Sequence, residues 1–393
     1  MKINKLKIII IISIIVIILI LFFIFQFYHK SNFISKAENS NTKAEIVLFY
    51  EGGDSELVLV DHNNKDNNYQ VSNRITLNDV SDFGPSYHTP IRYNKKHNFI
   101  VTKFYKHRCN RDGIIMTDLN TLKSKRLEIE KATQGCSTID VNTDGDYVVA
   151  SGQNSVTLFD IKDNTQKDYP FPKEEILSAI NQDDKVFLFG YYDKEIKDDF
   201  KVVHEIKMIS NNKIKNVAEK SIAADSYRFY KGNLYGISDI QNDNGDVIEQ
   251  FITIINNNGK VIKNIKIPFY VSRLAIADDK VYLTKSDSNG NNASIIIYDL
   301  RTEKFESTPI KIKDKTIWSL QVKNDKIYAY AHKYLGSAEE ERIDSGYFEG
   351  LVKGYIYVYD AKTYELLNTI DVNTKEYNPN AYMFSSFTVI DQK

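Results

Sequence analysis

From residue 44 to the end of the chain, apolar and polar residues alternate in short runs separated by Asn-, Asp- and Gly-rich turns. The stretch DKVYLTKSDSNGNNASIIIYDLRTEKFESTPIKI, residues 279–312, shows the unit plainly. It has an apolar strand, a loop, a second strand ending in Tyr-Asp, a tight turn and a third strand. A period of two with Ile, Val and Tyr enriched marks β-strands, and no amphipathic helix longer than two turns is visible. Two stretches depart from this pattern. Residues 8–25 form an unbroken apolar run interrupted only by Ser13, and residues 31–43, SNFISKAENSNTK, are polar and aperiodic.

The strand unit recurs. Residues 145–171 repeat it, as do DKIYAYAHK (325–333) with GYIYVYDAKTYELLNTIDV (354–372). Weaker copies start at residues 97, 184 and 232, and the first appears at AEIVLFYEG (44–52), giving seven copies. Every copy except the first follows a further short strand ending in a polar turn, as in RLAIADDK and SLQVKNDK. Four strands of similar length per repeat is the pattern of propeller blades. The first copy lacks its leading strand, whereas the C-terminal SSFTVIDQK aligns with SRLAIADDK and has nothing after it. Residues 385–390 are therefore expected as the inner strand of a first blade whose other strands come from residues 44–75, closing the ring.

With IIIYDLRTEKF and YVYDAKTYELLNTI in hand, residues 44–393 resemble the seven-bladed propellers of the YVTN and WD-repeat-like class. The chain has no Trp-Asp pair ending the third strand, no kelch double glycine and no Asp-box with its Trp. The resemblance implies an all-β, seven-bladed propeller and no particular activity.

The apolar run changes the picture for location. Its 18 uncharged residues match the thickness of a hydrocarbon core, and Lys2, Lys5 and Lys7 precede it. The organisation expected is a cytoplasmic segment (1–7), a transmembrane signal anchor (8–28), an extracellular stalk (29–43) and the propeller (44–393). A cleaved signal peptide is the alternative, but the small residues Ser35 and Ala37 lie about ten positions beyond the run. Either way the propeller is placed on the extracytoplasmic side of a cell membrane. The formal net charge is −1, and residues 1–30 carry four Lys and no acid, which leaves the rest mildly acidic. That balance excludes nucleic acid as a partner.

Loop lengths then suggest which face works. Turns joining the first two and the last two strands of each blade are minimal, as in ADDK and LRTEK. Those joining the middle strands are long: residues 105–113, 192–201, 238–250 and 333–353, with the inter-blade stretch 78–90 on the same side. Cys109 and Cys136 map to this face on neighbouring blades and, outside the cytoplasm, are expected to form a disulfide; two free thiols are the alternative. Lys103, Lys106, His107, Arg108 and Arg111 gather beside them, while acidic residues crowd residues 193–199, 239–246 and 339–344. Such a mouth is either ordinary solvated loop or a polarised field steering a cationic or zwitterionic partner. DIQNDNGDVIE misses the EF-hand spacing, so no metal is assigned.

Residues opening the inner strands should line the channel mouth: Tyr87, His88, Arg92, Arg108, Arg228, Arg273, Trp318 and Tyr382 form the expected ligand-binding face. His88 and Asp225 are weak catalytic candidates, and no cofactor is implied. There is no GxSxG elbow or phosphate loop. An aromatic, Arg-rich mouth suits an extracellular protein, peptide or envelope glycan, which makes a membrane-anchored binding module the leading expectation. A propeller-type hydrolase or lyase with its site at the channel mouth is the alternative.

Overall fold

The computed structural model describes residues 16–18 and most of 35–390. Outside that description lie residues 1–15, 19–34, 52–54, 64, 67, 78–90, 107–110, 130–135, 142–144, 153, 183–184, 197–198, 212, 243–245, 287–291, 308, 333–353, 381–382 and 391–393. The expected anchor falls almost wholly there. No helix among the described residues is long and apolar enough to cross a membrane.

The chain opens with β1 (Ser35–Ala37), β2 (Ile46–Glu51), β3 (Ser55–Asn63) and β4 (Asn68–Leu77). Blade 2 is β5 (Ile91–Asn94), β6 (Phe99–Lys106), β7 (Arg111–Asp118) and β8 (Lys123–Ile129). Blade 3 is β9 (Cys136–Val141), β10 (Tyr147–Gly152), β11 (Ser155–Asp160) and β12 (Thr165–Pro170). Blade 4 follows as β13 (Glu175–Gln182), β14 (Lys185–Ile196), β15 (Asp199–Ser210) and β16 (Lys213–Ala218). Blade 5 is β17 (Ser221–Tyr230), β18 (Asn233–Gln241), β19 (Val247–Asn256) and β20 (Val261–Ile267). Blade 6 has β21 (Arg273–Ala277), β22 (Lys280–Ser286), β23 (Ala293–Asp299), β24 (Lys304–Phe305) and β25 (Ile310–Ile312). Blade 7 is β26 (Thr316–Lys323), β27 (Lys326–His332), β28 (Gly354–Asp360) and β29 (Leu366–Asp371), and β30 (Met383–Val389) ends the chain.

Each blade is an antiparallel sheet, and the first runs β1-β4-β3-β2-β30. Strand β30 pairs with β2 from Ile46↔Val389 to Glu51↔Met383, so the ring closes as the orphan strand required. The inner strands touch one another in the cyclic order β30, β5, β9, β13, β17, β21, β26 and back to β30. This is a seven-bladed propeller.

Alternation along each strand feeds two interfaces at once. In β2, Ile46, Leu48 and Tyr50 pack toward blade 7 with Tyr328, Ile356 and Val358. The intervening Val47 and Phe49 pack toward blade 2 with Ile91, Ile100 and Ile115. Among the described residues the core is accordingly seven separate apolar clusters, one between each pair of neighbouring blades. Outer strands have one partner only and turn polar, as in TQKDYP of β12.

Turn chemistry follows the same repeat. Two-residue turns at Lys231-Gly232, Asp278-Asp279 and Asn324-Asp325 have both residues at positive φ, the hand that matches strand twist. The recurring Asp that ends the third strand is a turn device. Asp299 Oδ1 accepts the amides of Arg301 and Thr302, and Asp360 Oδ1 those of Lys362 and Thr363.

Two expectations change. The stretch taken as a stalk contains β1, whose Ser35, Lys36 and Ala37 pair with Leu77, Thr76 and Ile75 on the outer edge of β4. Asn73 Nδ2 also donates to the carbonyls of Asn39 and Asn41. Edge pairing uses main-chain groups, so it leaves little trace in a polar sequence. The long middle loops of blades 4 and 5 are in large part ladder: β14 and β15 stay paired to Ile196↔Asp199, and β18 and β19 to Gln241↔Val247. Those stretches are hairpins that extend the blades rather than loose insertions.

Candidate functional site

The inner strands enclose a central cavity of about 470 Å³. Its walls include Arg92 of β5, Asp140 of β9, Arg228 of β17, Arg273 of β21, Trp318 and Lys323 of β26, and Ser386 and Thr388 of β30. Four residues singled out from sequence, Arg92, Arg228, Arg273 and Trp318, thus meet in one space although they come from four blades.

They do not all sit at one mouth. Arg228 pairs with Tyr235 and Arg92 with Val101, each two rungs from the turn joining first and second strands. Arg273, paired with Thr284, stands four rungs from that turn. Trp318 occupies a register shift between Ile317 and Ser319, nearer the opposite end. The cationic lining therefore extends down the channel, beyond the long-loop rim.

Each guanidinium is held by the inner strands. Arg273 Nε donates to Trp318 O at 3.0 Å, tying blade 6 to blade 7, and Arg273 Nη1 donates to Ser272 O at 3.1 Å. Arg228 Nη1 donates to Tyr227 O at 2.6 Å. Arg92 Nη1 donates to Ile91 O at 3.2 Å, and Arg92 Nε makes an ion pair of 3.3 Å with Asp140 Oδ1. Backbone carbonyls orient a guanidinium without neutralising it, because they carry no net charge. Among the described residues no carboxylate lies within ion-pair distance of Arg273. The described lining side chains include Arg92, Arg228, Arg273 and Lys323 beside the carboxylate of Asp140, with Arg92 and Asp140 paired to each other.

The aromatic part of the wall is rigid. Trp318 stacks on His332 with ring centroids 4.8 Å apart and planes 12° from parallel. His332 also leans on Tyr330, and Tyr330 on Phe384 of the closing strand. Burial pushes the Tyr330 phenol far above its ordinary range, so it stays neutral at any physiological pH. At the other end Lys323 lies over the Tyr93 ring, 5.7 Å from its centroid.

Tyr87, His88, Arg108, Cys109 and Tyr382 lie outside the described residues, and of Asp225 and Cys136 only the backbone is described. Cys136 starts β9 and pairs with Gly152. In the acidic hairpin tip of blade 5, the Asn242 amide donates to Asp246 Oδ2 at 3.0 Å, and the Asp246 N–H returns a bond to Asn242 Oδ1. No group of three metal-ligating side chains occurs among the described residues. Asp140 and Lys323 were not anticipated. Asp140 stands inside STIDV of an inner strand, and assigning channel positions to the other inner strands by the same alignment would have found it.

No family model matches the sequence, and no curated protein does. Among solved structures, the β-propeller domain of the Trilobed protease from Pyrococcus furiosus is similar at 16 % identity over 82 % of this chain and 98 % of that one, TM-score 0.51. A quinoprotein alcohol dehydrogenase-like protein from Bacteroides thetaiotaomicron is similar at 14 % identity over 89 % of this chain and 79 % of that one, TM-score 0.52. Sqt1 from Saccharomyces cerevisiae gives 10 % identity over 86 % and 88 % of the two chains, TM-score 0.50. Identities this low speak for the fold alone. The Pyrococcus domain is described as having an open velcro topology, whereas here β30 zips onto β2.

Proposed function

We propose that this protein is a membrane-anchored, extracytoplasmic binding module that engages its ligand in the central channel and at the long-loop rim above it. The observation that carries this reading is the convergence of Arg92, Arg228, Arg273 and Trp318 on one cavity of about 470 Å³, within the range of small-molecule sites. Guanidinium groups fixed by main-chain carbonyls beside a rigid aromatic face recognise a ligand; they do not supply a nucleophile or a proton acceptor. The one described carboxylate of the wall, Asp140, is engaged by Arg92. The anchor rests on the uncharged run of residues 8–25 behind Lys2, Lys5 and Lys7.

A thermal-shift screen of the full-length chain in mild detergent, against envelope glycans and peptide pools, tests the reading. A ligand that stabilises the protein and is recovered unchanged supports it. A ligand that is stabilising and consumed makes the protein an enzyme instead.

A further inference from the structure

We infer that the channel is an oxyanion site, built to take a small organic molecule through a carboxylate or phosphate group held by Arg228 and Arg273. This rests on the binding-module reading and deepens it by naming the ligand chemistry.

Arg228 and Arg273 belong to β17 and β21, inner strands of adjacent blades that touch directly. A further bond locks that contact: Ser226 Oγ donates at 2.7 Å to Ser272 O, the same carbonyl that accepts Arg273 Nη1. One main-chain oxygen thus fixes both the blade junction and the guanidinium. Of the five N–H donors of Arg273, two are spent on carbonyls of Ser272 and Trp318, and its charge is not cancelled by any described carboxylate. Arg92 stands on β5, three blades away in either direction around the ring, and is already paired there with Asp140, so the charge offered to a ligand lies on the Arg273 side.

A fixed cation in a partly desolvated space focuses field there and raises the local concentration of anions. A guanidinium fork presents parallel donors to two oxygens of one carboxylate or phosphate, a match that neutral sugars and cations cannot use. Volume sets the rest of the ligand. A bare phosphate would fill only a fraction of about 470 Å³, which leaves room for an organic body. The Trp318 face, held parallel to His332, offers that body a flat apolar wall, and Ser319 offers a hydroxyl. That volume suits a small carboxylate or phosphate ester.

The test uses the full-length chain in mild detergent, with inorganic phosphate and citrate as probes and sodium chloride at matched ionic strength as control. Melting temperature and calorimetric titration are both read. At least one of the two probes should raise Tm beyond the chloride control, citrate alone marking a carboxylate site and phosphate alone a phosphate site. In Arg228→Gln and in Arg273→Gln the affinity for that probe should fall by roughly tenfold or more, as loss of a charge-assisted bond requires. Arg273→Lys, which keeps the charge and loses the fork, should lie between. If these arginines only tie blades together, the variants lower Tm without probe and leave probe affinity untouched, which overturns the assignment. So does the absence of any shift beyond chloride. Stabilisation by an uncharged glycan that survives in both Gln variants would sink the oxyanion assignment while leaving the binding-module reading intact.

Discussion

Lys326 Nζ lies 2.7 Å from Glu45 Oε1, although 281 positions separate the two residues. The pair spans the seam where the two ends of the ring meet, blade 7 on one side and blade 1 on the other. Tyr328 and Tyr69 donate their hydroxyls to the same carboxylate oxygen. Glu45 also serves through its main chain, since its carbonyl accepts Ile390 N–H at 2.8 Å. A buried carboxylate with three donors is satisfied; one that loses a donor is not.

Removing one partner should therefore cost more than a surface ion pair. Lys326→Met leaves Glu45 buried and uncompensated, and is expected to destabilise the ring by about 3–5 kcal/mol in chemical denaturation. Glu45→Gln, which keeps the shape and accepts from the tyrosines, should cost less. A Lys326→Met loss no greater than about 1 kcal/mol would place the pair with ordinary exposed ones.

The same carboxylate makes a pH prediction. Burial raises its pKa, but Lys326, Tyr328 and Tyr69 together outweigh burial and hold it below the ordinary 4.5. Its folded value is thus lower than its unfolded value. The stability it contributes is full above the unfolded value and is lost as pH falls through the lowered one. Asp299 and Asp360, held low by the turn amides of Thr302 with Arg301 and of Thr363 with Lys362, act in the same direction. Loss of stability should begin as pH falls below about 4.5, and Glu45→Gln should flatten that slope when Tm is followed down the acid range.

Gly354 opens β28 opposite His332, and a Cβ there would fall 2.5 Å from Cε2 and Oη of Tyr330. Tyr330 is buried between His332 and Phe384 and cannot swing clear. Gly354→Ala is expected to cost about 1–3 kcal/mol as overpacking. Because Tyr330 lines the cavity, the variant should also alter probe binding in the channel. A stable variant with an unchanged channel would show that the ring has room to move.

How much of this was legible follows from where the information lies. Period-two runs ending in Tyr-Asp revealed the blades because each strand buries both faces against neighbours, and Asp299 and Asp360 carry a repeated turn duty. The unpaired C-terminal strand was legible because a missing first strand and a surplus last one fit together. Strand β1 was not, since Ser35, Lys36 and Ala37 contribute main-chain bonds on an outer edge and need no apolar pattern. The blade 4 hairpin read as a loop because Asp193, Lys194 and Glu195 sit in a ladder that extends beyond the apolar core. Arg92, Arg228, Arg273 and Trp318 were legible as inner-strand positions, and they line the central cavity. Their depth in the channel was hidden, because depth depends on rungs counted from each turn.

Cys109 and Cys136 offer a prediction that stands on sequence position. If they pair, protein isolated without reductant carries no free thiol, and its mass rises by two alkylated cysteines only after reduction. The closed loop should contribute about 3 kcal/mol, so reduction should lower Tm measurably. Two free thiols in the unreduced protein would remove the bridge from the picture.

The closing strand gives the sharpest test of the ring. Phe387, Val389 and Ile390 are buried, and the first two pack with Ile46, Leu48 and Tyr328 while Ile390 packs with Val47 and Ile91. The side chain of Gln321 on β26 grips β30 twice, donating to Phe387 O at 2.8 Å and accepting Val389 N–H at 3.1 Å. Each buried apolar side chain contributes about 1.5–3 kcal/mol, so losing three of them, with the ladder to β2, approaches the whole stability of an ordinary domain. Deleting residues 383–393 should abolish the cooperative thermal transition rather than shift it, and should leave β2 as an open edge prone to association. Phe387→Ala keeps the backbone ladder and is expected to cost about 3–5 kcal/mol with cooperativity retained. Should the truncated chain melt at the full-length temperature, closure by β30 contributes nothing to the ring, and the seam at Glu45 and Lys326 would have to carry it alone.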